Sequence, residues 1–148
     1  CSSDLASYEG VAKLKGDAQR GRTIFTQQCA ICHRFKDDGK DVGPDLAMVT
    51  DKPLDWLLTA IFDPNAAVEP RYQAQLVKLK SGPEVSGLIA GETANNLNLR
   101  LPGGADFPVL RADIAGRQSL GRSLMPEGLE TVLKPQDVAD LVACLRAK

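Results

Sequence analysis

Histidine is nearly absent from this sequence: His33 is the sole one in 148 residues, alongside two methionines, one tryptophan and four cysteines. One histidine excludes a zinc site of two cysteines and two histidines. Aromatic residues make up only 5% of the chain, so its apolar side chains by themselves pack a small interior. An excess of charge of either sign is also missing. Eighteen basic residues against nineteen acidic ones leave a formal net charge of -1. That balance gives no global field to steer nucleic acid or anionic lipid, so a nucleic-acid partner has nothing to stand on. Long apolar runs are lacking too. The longest, from Trp56 to Phe62, is interrupted by Thr59, well short of the roughly 20 residues of a membrane span.

What is present is ordinary globular composition, 43% hydrophobic and 25% charged, at the usual size of one domain. No internal repeat or low-complexity tract appears. The chain starts at Cys1, followed by Ser2 and Ser3. Two readings stand here: Cys1 is the acylated first residue of a bacterial lipoprotein, or the chain was cut from a longer one.

Residues 1–16 are polar with scattered apolar positions and suit a short leading helix. Asp17 is a candidate cap for a second helical stretch to about Cys29, with Gly21, Ile24, Phe25 and Gln28 along one side. Arg34 to Asp41 reads as a solvated loop. Residues 53–62 place Leu54, Leu57, Leu58, Ile61 and Phe62 on one face of a helix, with Asp51 as cap and Pro64 as stop. From Tyr72 the period changes to alternation. Residues 72–80 carry Tyr72, Ala74 and Leu76 on one side, and Val85 to Ala90, Asn96 to Leu101 and Phe107 to Leu110 read as three more strands. These make a four-stranded meander over 72–114. The last helix begins near Pro135, with Asp137 in its first turn and Val138, Leu141, Val142 and Leu145 as its stripe. Strands grouped between helices predict an α+β chain.

Cys29-Ala30-Ile31-Cys32-His33 is the haem c attachment pattern. Two thiols three positions apart can each add to one vinyl group of the same porphyrin, and the next residue brings an imidazole over the iron. This predicts one haem, covalently held by Cys29 and Cys32, with His33 as a metal ligand. A zinc knuckle is the first alternative, and it would have to recruit Cys144 or Cys1 as a further ligand. A redox-active dithiol is the second, and it expects a βαβ context that the helix-then-loop pattern does not supply. Because His33 is the sole histidine, bis-histidine ligation is excluded, and so is a distal histidine for peroxide cleavage. The sixth ligand is therefore methionine, another donor such as lysine, or nothing. Met125, in the loop Ser123 to Gly128 before the last helix, can reach across a haem face opposite His33. Met48 follows His33 closely, and packing is its plainer role.

Cys29 to His33, then Val42-Gly43-Pro44-Asp45-Leu46, then Leu124-Met125-Pro126 before a last helix, resemble a class I cytochrome c. More narrowly, Leu14 to Arg22, Ile61 to Asn65 and Leu124 to Leu129 are similar to the planctomycete-type haem-binding domain. The resemblance covers about residues 9–147. It implies a single cytochrome c domain over 1–148, a helical core around one haem. The sheet departs from the family pattern: as an insertion between the second main helix and the axial-methionine loop, it accounts for the 92 positions that separate His33 from Met125. The resemblance implies that the first and last helices cross near Gly21 and Phe25. It also implies that the Pro44 carbonyl accepts a hydrogen bond from His33, and that Met125 is the second iron ligand. Trp56 is the position from which related cytochromes reach a haem propionate, with core packing as the alternative. Cys144 departs from the family, which usually has an aromatic residue there.

The leading expectation is a single-haem electron carrier that passes electrons to a redox partner protein or a fused dehydrogenase-type domain. It is not an enzyme, and peroxidase chemistry is the weakest fit. A haem-based sensor with an open or displaceable sixth site is the alternative. An interaction module that uses the sheet as its working surface is the third reading. Thioether attachment takes place outside the bacterial cytoplasm, so the resemblance implies an exported, periplasmic protein.

Overall fold

Asp17 starts the first helix because its carboxylate can take up backbone N–H groups that the first turn leaves without partners. In the computed structural model, which describes residues 8–147, it accepts hydrogen bonds from the amides of Gln19 and Arg20 at 2.9 and 3.1 Å. Cys1 and the lipid-anchor reading lie outside the described residues, as does the first part of the leading segment. That segment is a 3-10 turn over Glu9–Lys13 where it is described. The chain divides into two compact units. One consists of the described parts of Cys1–Ala67 and Met125–Lys148, and the other is Val68–Leu124.

In the first unit, α1 spans Ala18–Ile24 and continues as a π-turn over Phe25–Cys29. A two-stranded hairpin follows, β1 (Arg34–Phe35) with β2 (Asp38–Gly39). The expected solvated loop is thus an ordered turn. Its reason is Phe35, which is buried and meets Phe25 edge-to-face at 5.8 Å between ring centroids. Helix α2 spans Leu54–Phe62. Its expected apolar face is the one that packs, with Leu57 and Leu58 buried. Pro53, rather than Asp51, stands at its N-cap. Helix α3 spans Pro135–Arg146, and Asp137 accepts from the Lys134 amide at 2.8 Å in its first turn.

Helices α1 and α3 pack directly on each other at Gly21. A Cβ there would stand 2.0 Å from the Asp140 carbonyl oxygen and 2.8 Å from Cys144 Cβ, so no larger residue fits. Cys144 is buried as a free thiol beside Phe25, Phe35, Leu141 and Leu145. Behind this crossing a second cluster gathers Tyr8, Val11, Leu57, Leu58, Leu133, Val138, Ala139 and Val142. Tyr8 stacks on Phe62 at 4.1 Å and donates its hydroxyl to the Leu133 carbonyl at 2.6 Å.

The second unit is a five-stranded antiparallel sheet: β3 (Gln73–Leu79), β4 (Glu84–Glu92), β5 (Asn96–Arg100), β6 (Asp106–Leu110) and β7 (Ile114–Ser123), in the order β6-β5-β4-β3-β7. The four-stranded meander over 72–114 is therefore extended by a fifth strand, β7, which pairs along β3 with Val77 opposite Arg117. Its middle, Ala115-Gly116-Arg117-Gln118-Ser119, is exposed and shows no apolar alternation, as suits an edge strand. The side of β3 that enters the sheet core is the one opposite Tyr72, Ala74 and Leu76. Val77 is fully buried with Leu97, Leu99 and Val109, and Leu79 packs beside them. Both faces of β3 carry apolar residues, so alternation alone left the choice of face open. Glu92 on β4 binds Arg111 at 2.9 Å and also Arg117 on β7, which ties the sheet across its strands.

Asp140 is a charged residue in the middle of α3, and only 2% of it is exposed. Its carboxylate accepts from the Asp17 amide at 2.8 Å, from Arg20 at 2.9 Å and from Gln136 at 2.9 Å. It thereby fastens the start of α1 to α3. Burial works to raise the Asp140 carboxyl pKa, and the bonds from Arg20, Asp17 and Gln136 more than offset it, leaving the group below the usual carboxylate range. Asp140→Ala removes an acceptor shared by three donors and is expected to cost about 2 kcal/mol in urea unfolding. The sign of the pH effect follows from the depressed pKa. The stabilisation is complete above the unfolded carboxyl pKa of about 4 and is lost as pH falls through the lower folded value. Asp140→Asn is accordingly expected to lose less stability than the wild type between about pH 4 and pH 2.

Candidate functional site: the Cys29–His33 turn and its cradle

The turn that carries Cys29, Cys32 and His33 is built directly onto the end of α1. The Ala30 amide reaches back to the Phe25 carbonyl at 2.9 Å, closing the π-turn, and the Cys32 and His33 amides both bond the Cys29 carbonyl. A π-turn carries one more residue than an α-turn, a feature that occurs often at functional sites. Here it keeps Phe25 in the core while the chain winds on into the two cysteines. Cys29 and Ala30 pack against the Phe25–Phe35–Leu141 cluster, whereas Ile31, between the two thiols, is exposed.

The segment after the hairpin then returns alongside the turn. Lys40 donates its amide to the Ala30 carbonyl at 3.0 Å, and Val42 and Gly43 donate theirs to the Cys32 carbonyl at 3.0 and 2.7 Å. These bonds bring Pro44 against the histidine. His33 Nδ1 lies 2.7 Å from the Pro44 carbonyl oxygen. A carbonyl can only accept, so Nδ1 carries the proton and Nε2 holds the free lone pair. Burial lowers the His33 pKa, which favours the neutral ring, and the Pro44 bond partly opposes this.

Gly43 supplies the rest of the cradle. A Cβ on it would stand 2.6 Å from His33 Cε1 and 2.9 Å from Nδ1, so the backbone lies against the imidazole where a side chain would be. Next to it, Asp45 caps the 3-10 turn Leu46–Val49 through the Ala47 amide at 2.9 Å and pairs with Arg34 at 3.1 Å. The Ala47 amide holds the Asp45 carboxyl below its ordinary pKa; burial, the next largest effect, opposes it, and Arg34 adds to the lowering. In the sequence, Gly43 and Asp45 belong to a motif that gives neither a part in the site, and Arg34 lies in a polar stretch that reads as a loop. The packing that gives them one is tertiary.

The two thiols are free in the structure. Burial, with a smaller contribution from Cys32, pushes the Cys29 thiol up to about 11. A redox-active dithiol needs a thiolate with a lowered pKa, so this environment disfavours that alternative. No three His, Cys, Asp or Glu side chains converge as a metal site among the described residues, so the zinc alternative finds no ligand set there. The donor set does fit a haem c: two free thiols three positions apart on one turn, and an imidazole whose Nε2 is open to bind a metal.

The structure thus brings together Cys29, Cys32, His33 and Pro44. Met125 and Trp56 stand on other elements of the same unit. Met125 is half-buried at the start of a loop that Asn65 ties down, donating to Glu127 at 2.6 Å. Met48 is 71% exposed in its 3-10 turn, so core packing does not account for it. Trp56 is 45% exposed on α2 with the Lys52 ammonium 5.8 Å from its ring centroid, which also sets core packing aside.

Gly43→Ala is expected to displace the His33 ring and break its bond to Pro44, read as loss of the protected Nδ1–H resonance in NMR spectra. Gly91→Ala, where an added Cβ meets nothing within 4 Å, is expected to leave that resonance in place.

A family model described as Cytochrome c matches residues 18–147. A cytochrome c-553-like protein of Synechocystis sp. is 50% identical over 42 residues, 28% of this chain. The matched stretch spans 39% of that relative's length. No helix among the described residues is long and apolar enough to cross a membrane. With a family match that runs from α1 through the Cys29–His33 turn to the end of α3, the chain belongs to the cytochrome c family, whose members imply a covalently bound haem.

Proposed function

We propose that this chain is a single-haem electron-transfer domain of the class I type, in which Cys29 and Cys32 form thioethers to one haem c and His33 and Met125 ligate its iron. The bond between His33 Nδ1 and the Pro44 carbonyl is the observation that carries the reading. It fixes the tautomer in which Nε2 is the free donor, and it sets the plane of the ring before any metal arrives. Bound here, the group supplies a one-electron couple between Fe(III) and Fe(II).

The chain's own residues do the rest. Phe25, Phe35, Leu141 and Leu145 form an apolar wall beside the attachment turn and keep water from that side. The Asn65–Glu127 bond restrains the loop that carries Met125. A ligand set that stays the same in both oxidation states keeps reorganisation small, as an electron carrier requires. Its partner is a second redox protein, the sheet of Val68–Leu124 is an insertion into the planctomycete-type domain, and the location is the periplasm or another exported compartment.

The test is the absorption spectrum of the chain matured with its haem, native and denatured, oxidised and reduced. Haem is expected to stay with the chain on denaturation, and the native oxidised form to show the weak far-red band of a methionine–iron bond. Met125→Ala is expected to abolish that band, and Met48→Ala to leave it. A high-spin spectrum that responds to carbon monoxide or cyanide would instead establish the sensor reading, with a displaceable sixth site.

A further inference from the structure

We propose that Arg34 and Asp45 are a positioning pair: their ion pair holds the Pro44 carbonyl on His33 Nδ1 and thereby sets how strongly Nε2 donates to the haem iron. The inference rests on the reading of His33 as the axial ligand and extends it to the residues that directly follow His33 and Pro44 in the chain.

The geometry is that of two consecutive rungs. His33 and Arg34 are adjacent on one segment, Pro44 and Asp45 on the facing one. The first rung is His33 Nδ1 to the Pro44 oxygen at 2.7 Å, and the second is Arg34 Nε to Asp45 Oδ2 at 3.1 Å. On one side of the rungs the facing segment is already held, because Val42 and Gly43 bond the Cys32 carbonyl. On the other side the chain passes into the 3-10 turn Leu46–Val49, and Asp45 governs that exit with both of its oxygens. Oδ1 takes the Ala47 amide and Oδ2 takes Arg34, so the turn, the Pro44 carbonyl and the residue after His33 are fastened together. Phe35, buried next to Arg34, anchors the other segment.

Burial decides what this pair does. The Arg34 side chain is 53% exposed and the Asp45 side chain 25%, and ion pairs this open to water add little to folding stability. Position is where the pair has leverage, since a small swing of Pro44 lengthens a 2.7 Å bond. A carbonyl that accepts from Nδ1–H makes the imidazole a stronger donor at Nε2, which favours Fe(III) and lowers the reduction potential. Loosening that bond raises the potential.

The sign of the change separates this role from a plain charge effect. Removing a positive charge near the iron by Arg34→Gln lowers the potential through space, and removing a negative one by Asp45→Asn raises it. As a positioning pair, both changes raise it. Asp45→Asn keeps an oxygen for the Ala47 amide, so the turn survives the test. The experiment measures the reduction potential of the haem-loaded full chain and the solvent exchange of the His33 Nδ1–H by NMR, for both variants and their double mutant. The expected result is a rise in potential in both variants, with the double mutant no higher than the larger single change. Exchange is expected to speed up by as much as about fivefold, the factor that a surface ion pair permits. Opposite shifts with unchanged exchange, or no shift in either variant, would overturn the proposal. If the matured chain holds no haem, or its spectrum shows that His33 is not a ligand, it is the underlying reading that fails.

Discussion

How closely α1 can approach α3 governs the position of everything in the first unit. The contact at Gly21 allows no side chain, and Asp140 makes the approach specific by collecting the Asp17 amide, Arg20 and Gln136 on one buried carboxylate. A buried charge without partners costs several kcal/mol, so the register of α1 on α3 is one in which the Asp17 amide and Arg20 arrive together, beside the Gln136 amide already present on α3. Cys29 lies one π-turn beyond the end of α1, so the place of the attachment turn follows from the crossing.

The site inherits that rigidity and adds constraints of its own. Three backbone bonds lay residues 40–43 against the Cys29–His33 turn, and the bare backbone of Gly43 lets the chain pass flat against the ring. The Pro44 carbonyl then fixes which nitrogen carries the proton. A single histidine suffices for the site because the main chain, rather than a second titratable side chain, sets its tautomer and plane.

The sheet unit is stabilised differently. Its core is a small apolar cluster on one face, centred on Val77, Leu97, Leu99 and Val109. The ion pairs of Glu92 with Arg111 and Arg117 bind its strands at the surface. Its two edges also differ. On β6, Pro108 lacks an N–H, which discourages further pairing along that strand, while β7 is long and polar.

Periodicity and spacing by themselves determined a good deal: the three helices, four of the five strands of the sheet, and a five-residue pattern that identifies two thiols and an imidazole as one constellation. Those features are local, since a helix stripe, an alternating strand and a Cys-x-x-Cys-His turn are complete within a few residues. Only tertiary structure decided the rest. Asp140 reads as an exposed position of a helix until the facing helix brings the Asp17 amide and Arg20 to it. Strand β7 has no alternation of its own and takes its form from hydrogen bonds to β3. The hairpin after His33 reads as a loop until Phe35 finds Phe25. Gly43, Arg34 and Asp45 acquire their contacts only when residues 40–45 fold back along the attachment turn. A one-dimensional pattern records which residues can make such contacts, and the pairing energy that selects among them exists only once distant segments meet.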